Sequence, residues 1–212
     1  NLLVGGLIFS LTKALSLQLQ TFRTCLRRQE IIVYNTHMNL WHDIEPGTKD
    51  AINVIVEINK GSKNKYEIDK KTGLIALDRV MHTGQDYPFD YGFVPRSLWH
   101  DGDPLDVVIL STYPFVPGVL VNCRPVAIMH MIDSGETDEK IIAVPVEDPR
   151  FDKIKDLEDV NPHTLREIEH FFLTYKKLQN KDVIVTGFKN KAGAQTAIEE
   201  GLKLYTKEYQ TK

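Results

Sequence analysis

Three aspartates fall within six residues of the chain, at Asp101, Asp103 and Asp106, beside a glycine and a proline that disfavour a helix. Crowded carboxylates repel one another unless a cation lies between them. Mg²⁺ binds a few carboxylate oxygens together with water and phosphate. The segment therefore predicts a metal and phosphate site, although Asp-Gly and Asp-Pro pairs also form ordinary turns.

The elements that must position these acids are short strands. The apolar run at 107–110 follows the acids directly and predicts a buried strand that holds them at its edge. The segment 87–95 is aromatic and bounded by proline, which predicts a loop or an irregular strand. Five further strands are predicted, at 52–58, 65–69, 74–80, 119–131 and 140–145.

Beyond residue 150 the pattern changes from strands to helices. Asn161 followed by Pro162 predicts a helix start, and apolar residues recur at helical spacing as far as Tyr175. A second amphipathic helix is predicted at 192–205, after a break at Gly187. Strands followed by helices indicate an α+β fold, mainly β, with a small closed or sandwich-like antiparallel sheet.

Composition narrows the class of protein. The 212 residues are 42% hydrophobic and 26% charged, which suits a globular domain with a substantial core. The net charge of −3 offers no general electrostatic attraction to nucleic acid. Cys25 and Cys123 are far apart and lack metal-ligand spacing, which argues against a disulfide framework or structural zinc and indicates a reducing compartment.

Residues 1–37 differ from the rest, because they hold four basic residues, one acid and many leucines. A basic, acid-poor, amphipathic leader is typical of an organelle transit segment. The alternative is upstream sequence outside the working protein, since Met38 begins the next segment. Lys13 interrupts the apolar residues well short of the ~18 that a membrane span needs. We expect a leader at 1–37 and a single catalytic domain at 38–212.

Other polar residues fall at the ends or faces of the predicted elements. Lys65 and Glu67 share one face of a strand, and Arg79 closes the next strand. Each candidate also has an ordinary structural explanation, such as a solvated strand face, a turn, or a core tyrosine with a bonded hydroxyl. The remaining candidates are Tyr87, Tyr91, Asp133, Asp138, Lys140, Tyr175 and Lys176.

Taken together and in order, these residues make 41–205 resemble the soluble inorganic pyrophosphatases of family I, in the compact bacterial and plant form. The motif of that family, Asp-x-Asp-Pro-x-Asp-Val, stands at 101–107. Supporting segments are found at 65–70, 87–94, 123–126 and 170–176. The resemblance implies an OB-like, five-stranded, closed antiparallel barrel flanked by two C-terminal helices.

The resemblance also implies a role for each candidate residue. Asp103 would take the proton from the attacking water. The metal ligands would be Asp101, Asp106, Asp133, Asp138 and Glu67. The substrate ligands would be Lys65, Arg79, Tyr91, Lys140, Tyr175 and Lys176. Glu57 and Tyr87 would be further polar residues of the active site.

The activity implied is hydrolysis of inorganic diphosphate to two orthophosphates, EC 3.6.1.1, with several Mg²⁺ ions and with Mn²⁺ or Zn²⁺ as substitutes. Pyrophosphate would be the partner, without nucleic acid or a membrane span, in a homo-oligomer that is most often a hexamer. The expected compartment is the cytoplasm, or a plastid or mitochondrion if the leader is translated. Two alternatives stay open, namely another two-metal phosphohydrolase and an OB-type nucleic-acid binder, whose basic groove this acidic chain lacks.

Overall fold

The computed structural model describes residues 38–210, which form a large sheet, a two-stranded sheet and two C-terminal helices. The strands are β1 (Gly47–Thr48), β2 (Ala51–Ile58), β3 (Asn64–Asp69), β4 (Leu74–Val80), β5 (Asp90–Phe93), β6 (Asp106–Ile109), β7 (Leu120–Asp133), β8 (Glu136–Thr137), β9 (Lys140–Pro145) and β10 (Val183–Asn190). The helices are α1 (Pro162–Thr174) and α2 (Lys191–Tyr205), with 3₁₀ turns at Pro149–Phe151, Leu157–Asp159 and Lys177–Gln179 and a π turn at Thr206–Gln210. The predicted leader lies outside the described residues.

The large sheet has the strand order β1-β2-β5-β6-β9-β7-β10, and β8 pairs with β7. Strand β2 pairs with β7 as well as with β5, while β3 and β4 pair only with each other among the described strands. All six predicted strands correspond to observed ones, and both predicted helices are present. The expectation of a mainly β fold followed by two helices is therefore confirmed.

The predicted all-antiparallel pairing is wrong at one place in the large sheet, which has eight strands. Strands β6 and β9 run parallel, with Asp106 opposite Lys140. The 14-residue strand β7 lies between them in sequence and pairs antiparallel with β9. The chain therefore reverses direction before β9, which runs in the same direction as β6. The parallel register therefore brings an acid and a base from distant segments side by side.

The aromatic segment at 87–95 contains a regular strand, β5, where the sequence left a loop open. Gly92 in this strand lies so close to β2 that a Cβ atom there would come within 2.0 Å of the Ile55 carbonyl oxygen. Glycine is thus required for the two strands to pair at this distance. The close approach fixes the neighbouring Tyr91 relative to the sheet.

Strand β10 is absent from the sequence prediction, which placed a break at Gly187. That glycine has a φ of 130° and lies at a register shift in the pairing of β10 with β7. A bulge of this kind bends a strand without ending it. The glycine is therefore a strand irregularity and not the end of an element.

The two helices cover the sheet with apolar side chains. Asn161 caps α1 by accepting a hydrogen bond from the His163 amide at 2.9 Å, and Pro162 occupies the first turn as predicted. Ile168, Phe171 and Phe172 of α1 are buried. Burying each such side chain contributes roughly 1.5–3 kcal/mol, which anchors the C-terminal end of α1 and the residues that follow it.

No helix within residues 38–210 is both long enough and apolar enough to span a lipid bilayer.

Candidate active site

A cleft of about 260 Å³ brings together eleven of the fourteen residues that the sequence singled out. These are Lys65, Glu67, Tyr91, Asp101, Asp103, Asp106, Asp133, Asp138, Lys140, Tyr175 and Lys176. An adjoining cleft of about 300 Å³ shares several of them and adds Glu57. Arg79 and Tyr87 line neither cleft. Tyr87 is fully buried beneath the site, in edge contact with Phe89.

The cleft lies where several strands begin or end, so each acid is attached to a rigid element. Asp106 opens β6, Lys140 opens β9, and Asp133 ends β7. Asp101 and Asp103 lie in the loop before β6, and the Asp103 amide donates to a carboxylate oxygen of Asp101 at 3.0 Å. This Asx turn orients the two side chains relative to each other.

Lys140 is the most deeply buried charge in the cleft, with its side chain 3% exposed. Its Nζ lies 2.5 Å from Asp106 Oδ2 and also forms an ion pair with Asp138. Burial works against the ammonium form, but the two carboxylates outweigh it and raise the pKa of Lys140. The Lys140 side chain is therefore positively charged and holds together Asp106 and Asp138, which come from different segments.

The carboxylates around Lys140 still carry more negative charge than one ammonium offsets. Burial, with added repulsion from Asp106 and Asp138, raises the pKa of Asp101 to about 6. Burial and the charge of Asp138 also raise the pKa of Asp106, against the opposing effect of Lys140. A partly dehydrated site with excess negative charge favours the binding of cations.

Glu57 is a buried acid whose protonated form is favoured. The residue is buried, and burial followed by the charge of Asp106 raises its pKa to about 8. One of its oxygens accepts a hydrogen bond from the Ile68 amide at 2.7 Å. Glu57 therefore links β2 to β3, the strand that carries Lys65 and Glu67.

Asp133 is bound by groups that follow α1. The Tyr175 hydroxyl donates to its Oδ2 at 3.1 Å, and Lys176 forms an ion pair with the same oxygen. Burial opposes ionisation, but the hydrogen bond and charge of Lys176 prevail, together with a hydrogen bond from Ser134, and the pKa of Asp133 is lowered. The end of α1 thus delivers a tyrosine and a lysine to the strand that carries the acid.

A second group of charges lies on the β3–β4 hairpin, where Lys65 pairs across the strands with Arg79. Asp78 accepts from both, at 3.3 Å from Lys65 Nζ and in an ion pair with Arg79 Nη1. The other two guanidinium nitrogens of Arg79, Nε and Nη2, are buried and have no hydrogen-bond partner within the described residues. Burial and the nearby guanidinium lower the pKa of Lys65.

Sequence reasoning missed four polar residues of this region, namely Lys70, Asp78, Ser134 and Glu136. Lys70 Nζ lies 2.5 Å from Asp103 Oδ1 and donates to the Gly102 carbonyl at 2.9 Å. Neither its residue type nor its spacing distinguishes Lys70 from an ordinary surface lysine. Only the approach of the hairpin to the aspartate loop reveals the contact.

The predicted metal ligands share the cleft, but the structure does not draw them into one close set. Within residues 38–210, no three His, Cys, Asp or Glu side chains lie close enough together to hold a metal ion. Lys140 instead lies against Asp106 and Asp138, and Lys176 lies against Asp133. The donor set consists of carboxylate oxygens, which are the ligands of hard divalent cations such as Mg²⁺.

The family model described as inorganic pyrophosphatase matches residues 54–206. The chain belongs to the inorganic pyrophosphatase family. An inorganic pyrophosphatase from Haloferax volcanii is 47% identical over 175 residues, which are 81% of this chain and 99% of that protein. Soluble inorganic pyrophosphatase 1 of Arabidopsis thaliana is 48% identical over 167 residues, covering 78% of this chain and 79% of that protein.

A solved structure extends the similarity to three dimensions. The crystal structure of inorganic pyrophosphatase from Thermus thermophilus superposes with a TM-score of 0.76 at 42% identity, covering 80% of this chain and 99% of that chain. The family model, which runs from residue 54 to residue 206, takes in most of the large sheet, both helices and every cleft residue named above. The similarity to the family therefore holds in fold as well as in sequence.

Proposed function

We propose that the chain hydrolyses inorganic diphosphate to two orthophosphates in the cleft described above. One observation carries the proposal: acidic and basic side chains from five separate segments converge in a single cleft of about 260 Å³, in a member of the inorganic pyrophosphatase family. A small, highly charged anion needs charge neutralisation and several donors at once. The cleft contains both kinds of group.

Mg²⁺ is the cation that best fits the donor set, with Mn²⁺ or Zn²⁺ as substitutes. Asp101, Asp106 and Asp138 would hold the first ions, and Asp133 and Glu67 would hold further ones. The raised pKa values of Asp101 and Asp106 support this assignment, because burial and, to a lesser extent, the neighbouring carboxylates disfavour their charged forms, a cost that a bound cation would offset. When bound, such ions neutralise phosphate charge and lower the pKa of a coordinated water.

Asp103 is the residue that we assign to proton transfer. Its side chain is about half exposed in the cleft, 53%, whereas Asp106 is 21% exposed. Lys70 holds one oxygen of Asp103 and leaves the other free to accept a proton. The other acids that line the cleft with assigned roles, Asp101, Asp106, Asp133, Asp138 and Glu67, are assigned to the metal ions.

Binding of the phosphates falls to the basic and phenolic side chains. Arg79 lies across the hairpin from the cleft residue Lys65 and has two buried N–H groups without a partner within the described residues, a costly arrangement that a phosphate oxygen reaching them would relieve. Lys65, Lys140 and Lys176 add point charges. The hydroxyls of Tyr91 and Tyr175 add neutral donors, because burial raises the pKa of both and keeps them protonated. Glu57 and Tyr87 support the site from below.

Larger-scale features of the family enter the same proposal. Each of the strands β2, β5, β6, β9 and β7 pairs with the next one in this order, and β2 also pairs with β7. This pairing supports an OB-like closed barrel within the sheet. We assign the catalytic domain to 38–212. A cytoplasmic homo-oligomer, most often a hexamer, is proposed on family resemblance, with plastid or mitochondrion as the alternative compartment.

The decisive assay measures phosphate release from pyrophosphate by the purified full chain with Mg²⁺, with EDTA, and with Ca²⁺ in place of Mg²⁺. We expect activity with Mg²⁺ alone, because the longer and looser coordination of Ca²⁺ suits the site poorly. ATP and a phosphodiester serve as comparison substrates and should be turned over far more slowly. Absence of Mg²⁺-dependent release from pyrophosphate, or a preference for ATP or the diester, would refute the proposal.

A further inference from the structure

We propose that Glu139 is a positioning residue for the acidic cleft, acting through a hydrogen-bonded chain of Trp99, Glu139 and His130. The inference rests on the proposed function and deepens it. None of the three side chains lines either cleft, so none is placed to touch substrate or cation. Their role is to hold the segments that carry the acids at fixed distances from one another.

The two carboxylate oxygens of Glu139 have different partners. Trp99 Nε1 donates to Oε2 at 2.5 Å, and His130 Nδ1 lies 3.3 Å from Oε1. The Glu139 side chain is only 12% exposed, and Trp99 is buried. A buried carboxylate that accepts from two ring N–H groups is held in one orientation, because a change of rotamer would leave donors unpaired.

Each member of the chain belongs to a different acid-bearing segment. Trp99 is tied to the aspartate loop by its backbone, since its amide donates to the Asp103 carbonyl at 2.7 Å and its carbonyl accepts from the Gly102 amide at 3.1 Å. Glu139 stands between Asp138 and Lys140. His130 precedes the end of β7, where Asp133 lies.

These hydrogen bonds therefore tie the aspartate loop to the paired strands β7 and β9, through a contact between Trp99 and Glu139, which are 40 residues apart in sequence. The connection from Trp99 to the aspartate loop is short, because the backbone of Trp99 is hydrogen-bonded to that loop. Asp101 of the aspartate loop and Asp138, the neighbour of Glu139, line the same cleft. Groups that orient ligands from behind are worth about 10–100-fold in metal affinity or activity.

The test measures Mg²⁺ binding directly, by calorimetry on the substrate-free protein, alongside turnover. The variants are Glu139→Ala, Glu139→Gln and Trp99→Phe, and the control is Glu158→Ala, which removes an exposed glutamate of the 3₁₀ turn Leu157–Asp159. We expect Glu139→Ala to weaken Mg²⁺ binding about 10–100-fold. The half-saturating Mg²⁺ concentration for turnover should rise with it, while kcat at saturating Mg²⁺ is retained.

Glu139→Gln separates positioning from simple charge. Glutamine keeps the shape and one acceptor oxygen for the indole, so it should restore most of the affinity lost in the alanine variant. Trp99→Phe removes a single donor and should give an intermediate loss. Thermal unfolding in EDTA confirms that each variant is folded, and if Glu139→Ala fails to fold, the glutamine and phenylalanine variants decide.

Three results would overturn the inference. These are wild-type affinity in Glu139→Ala, wild-type affinity in Trp99→Phe, or a loss in Glu139→Gln equal to that in Glu139→Ala, which would mean that charge alone matters. Failure of the proposed function looks different, because the unaltered chain would then release no phosphate from pyrophosphate. The two failures are therefore distinguishable within one set of measurements.

Discussion

The acidic cleft and the aromatic cluster of Trp41, His42, Tyr205 and Tyr209 both bury polar groups, but the two regions differ in whether those groups have hydrogen-bond partners. In the cluster, Trp41 Nε1 donates to the Ser97 carbonyl at 2.8 Å, and the His42 ring and Tyr205 hydroxyl are 2.7 Å apart. At the cleft, by contrast, burial raises the pKa of Asp101 to about 6, and Arg79, opposite the cleft residue Lys65, has two buried N–H groups without a partner within the described residues. A region whose polar groups are satisfied internally contributes stability, whereas a region with unsatisfied charge is prepared for a ligand.

Asp103→Asn is expected to have the largest effect and tests the cleft side of this comparison. Asparagine cannot accept the proton at neutral pH, so turnover should fall about 10²–10⁴-fold. The free energy of unfolding should change little, because the side chain is half exposed. Phosphate release and urea unfolding measure the two quantities. Near-normal turnover would remove Asp103 from its assigned role.

Trp41→Ala tests the aromatic cluster and should lower the free energy of unfolding while turnover per folded molecule is retained. The side chain is 1% exposed, and truncating a buried tryptophan costs about 3–5 kcal/mol. Urea unfolding measures the loss, and turnover per folded molecule should remain. Trp41→Phe is the matched control, because it keeps most of the packing and should lose less. A stability close to that of the unaltered chain would show that the cluster is not an anchor.

Arg79→Lys tests whether the unpaired N–H groups of Arg79 bind the substrate. Lysine keeps the charge beside Asp78 but loses the planar pair of donors that now have no partner. We expect the KM for pyrophosphate at saturating Mg²⁺ to rise about 10-fold, the equivalent of about 1.4 kcal/mol. An unchanged KM would show that the unpaired N–H groups do not face the substrate.

Asp156→Ala is expected to have the smallest effect and concerns stability alone. Asp156 accepts from the Leu157 amide at 2.7 Å and from the Lys191 amide, at the start of α2, at 2.9 Å. Removing such a cap costs about 1 kcal/mol, whereas Asp156→Asn keeps an acceptor and should cost less. Urea unfolding of both variants measures the difference, and equal stability of the two would rule out the cap.

The same carboxylate predicts a pH dependence. The two backbone hydrogen bonds lower the pKa of Asp156 below its ordinary value. Its contribution to stability is therefore complete above the unfolded-state pKa of about 3.9 and is lost as the pH falls through the lower folded-state pKa. The stability difference between the unaltered chain and Asp156→Ala should shrink over this acidic range, and a constant difference would contradict it.

Much of the fold could be predicted from local pattern. The strands that became β2, β3, β4, β6, β7 and β9 have β-branched or alternating residues, and both helices have apolar spacing with a recognisable start. Strand β10 could not be found in this way, because Gly187 marks a bulge whose meaning depends on the partner strand. The parallel pairing of β6 with β9 is also non-local and leaves no trace in either segment.

The sequence by itself determined which residue types are available for chemistry and where they fall relative to strand ends, as with Asp101, Asp103 and Asp106. Local side-chain periodicity and turn chemistry are enough for that. Only the tertiary structure decided which charges meet: Lys140 with Asp106, Lys70 with Asp103, and Trp99 with Glu139. Such contacts depend on the register between segments 30 or more residues apart, which the packing of the whole sheet selects and no single segment encodes.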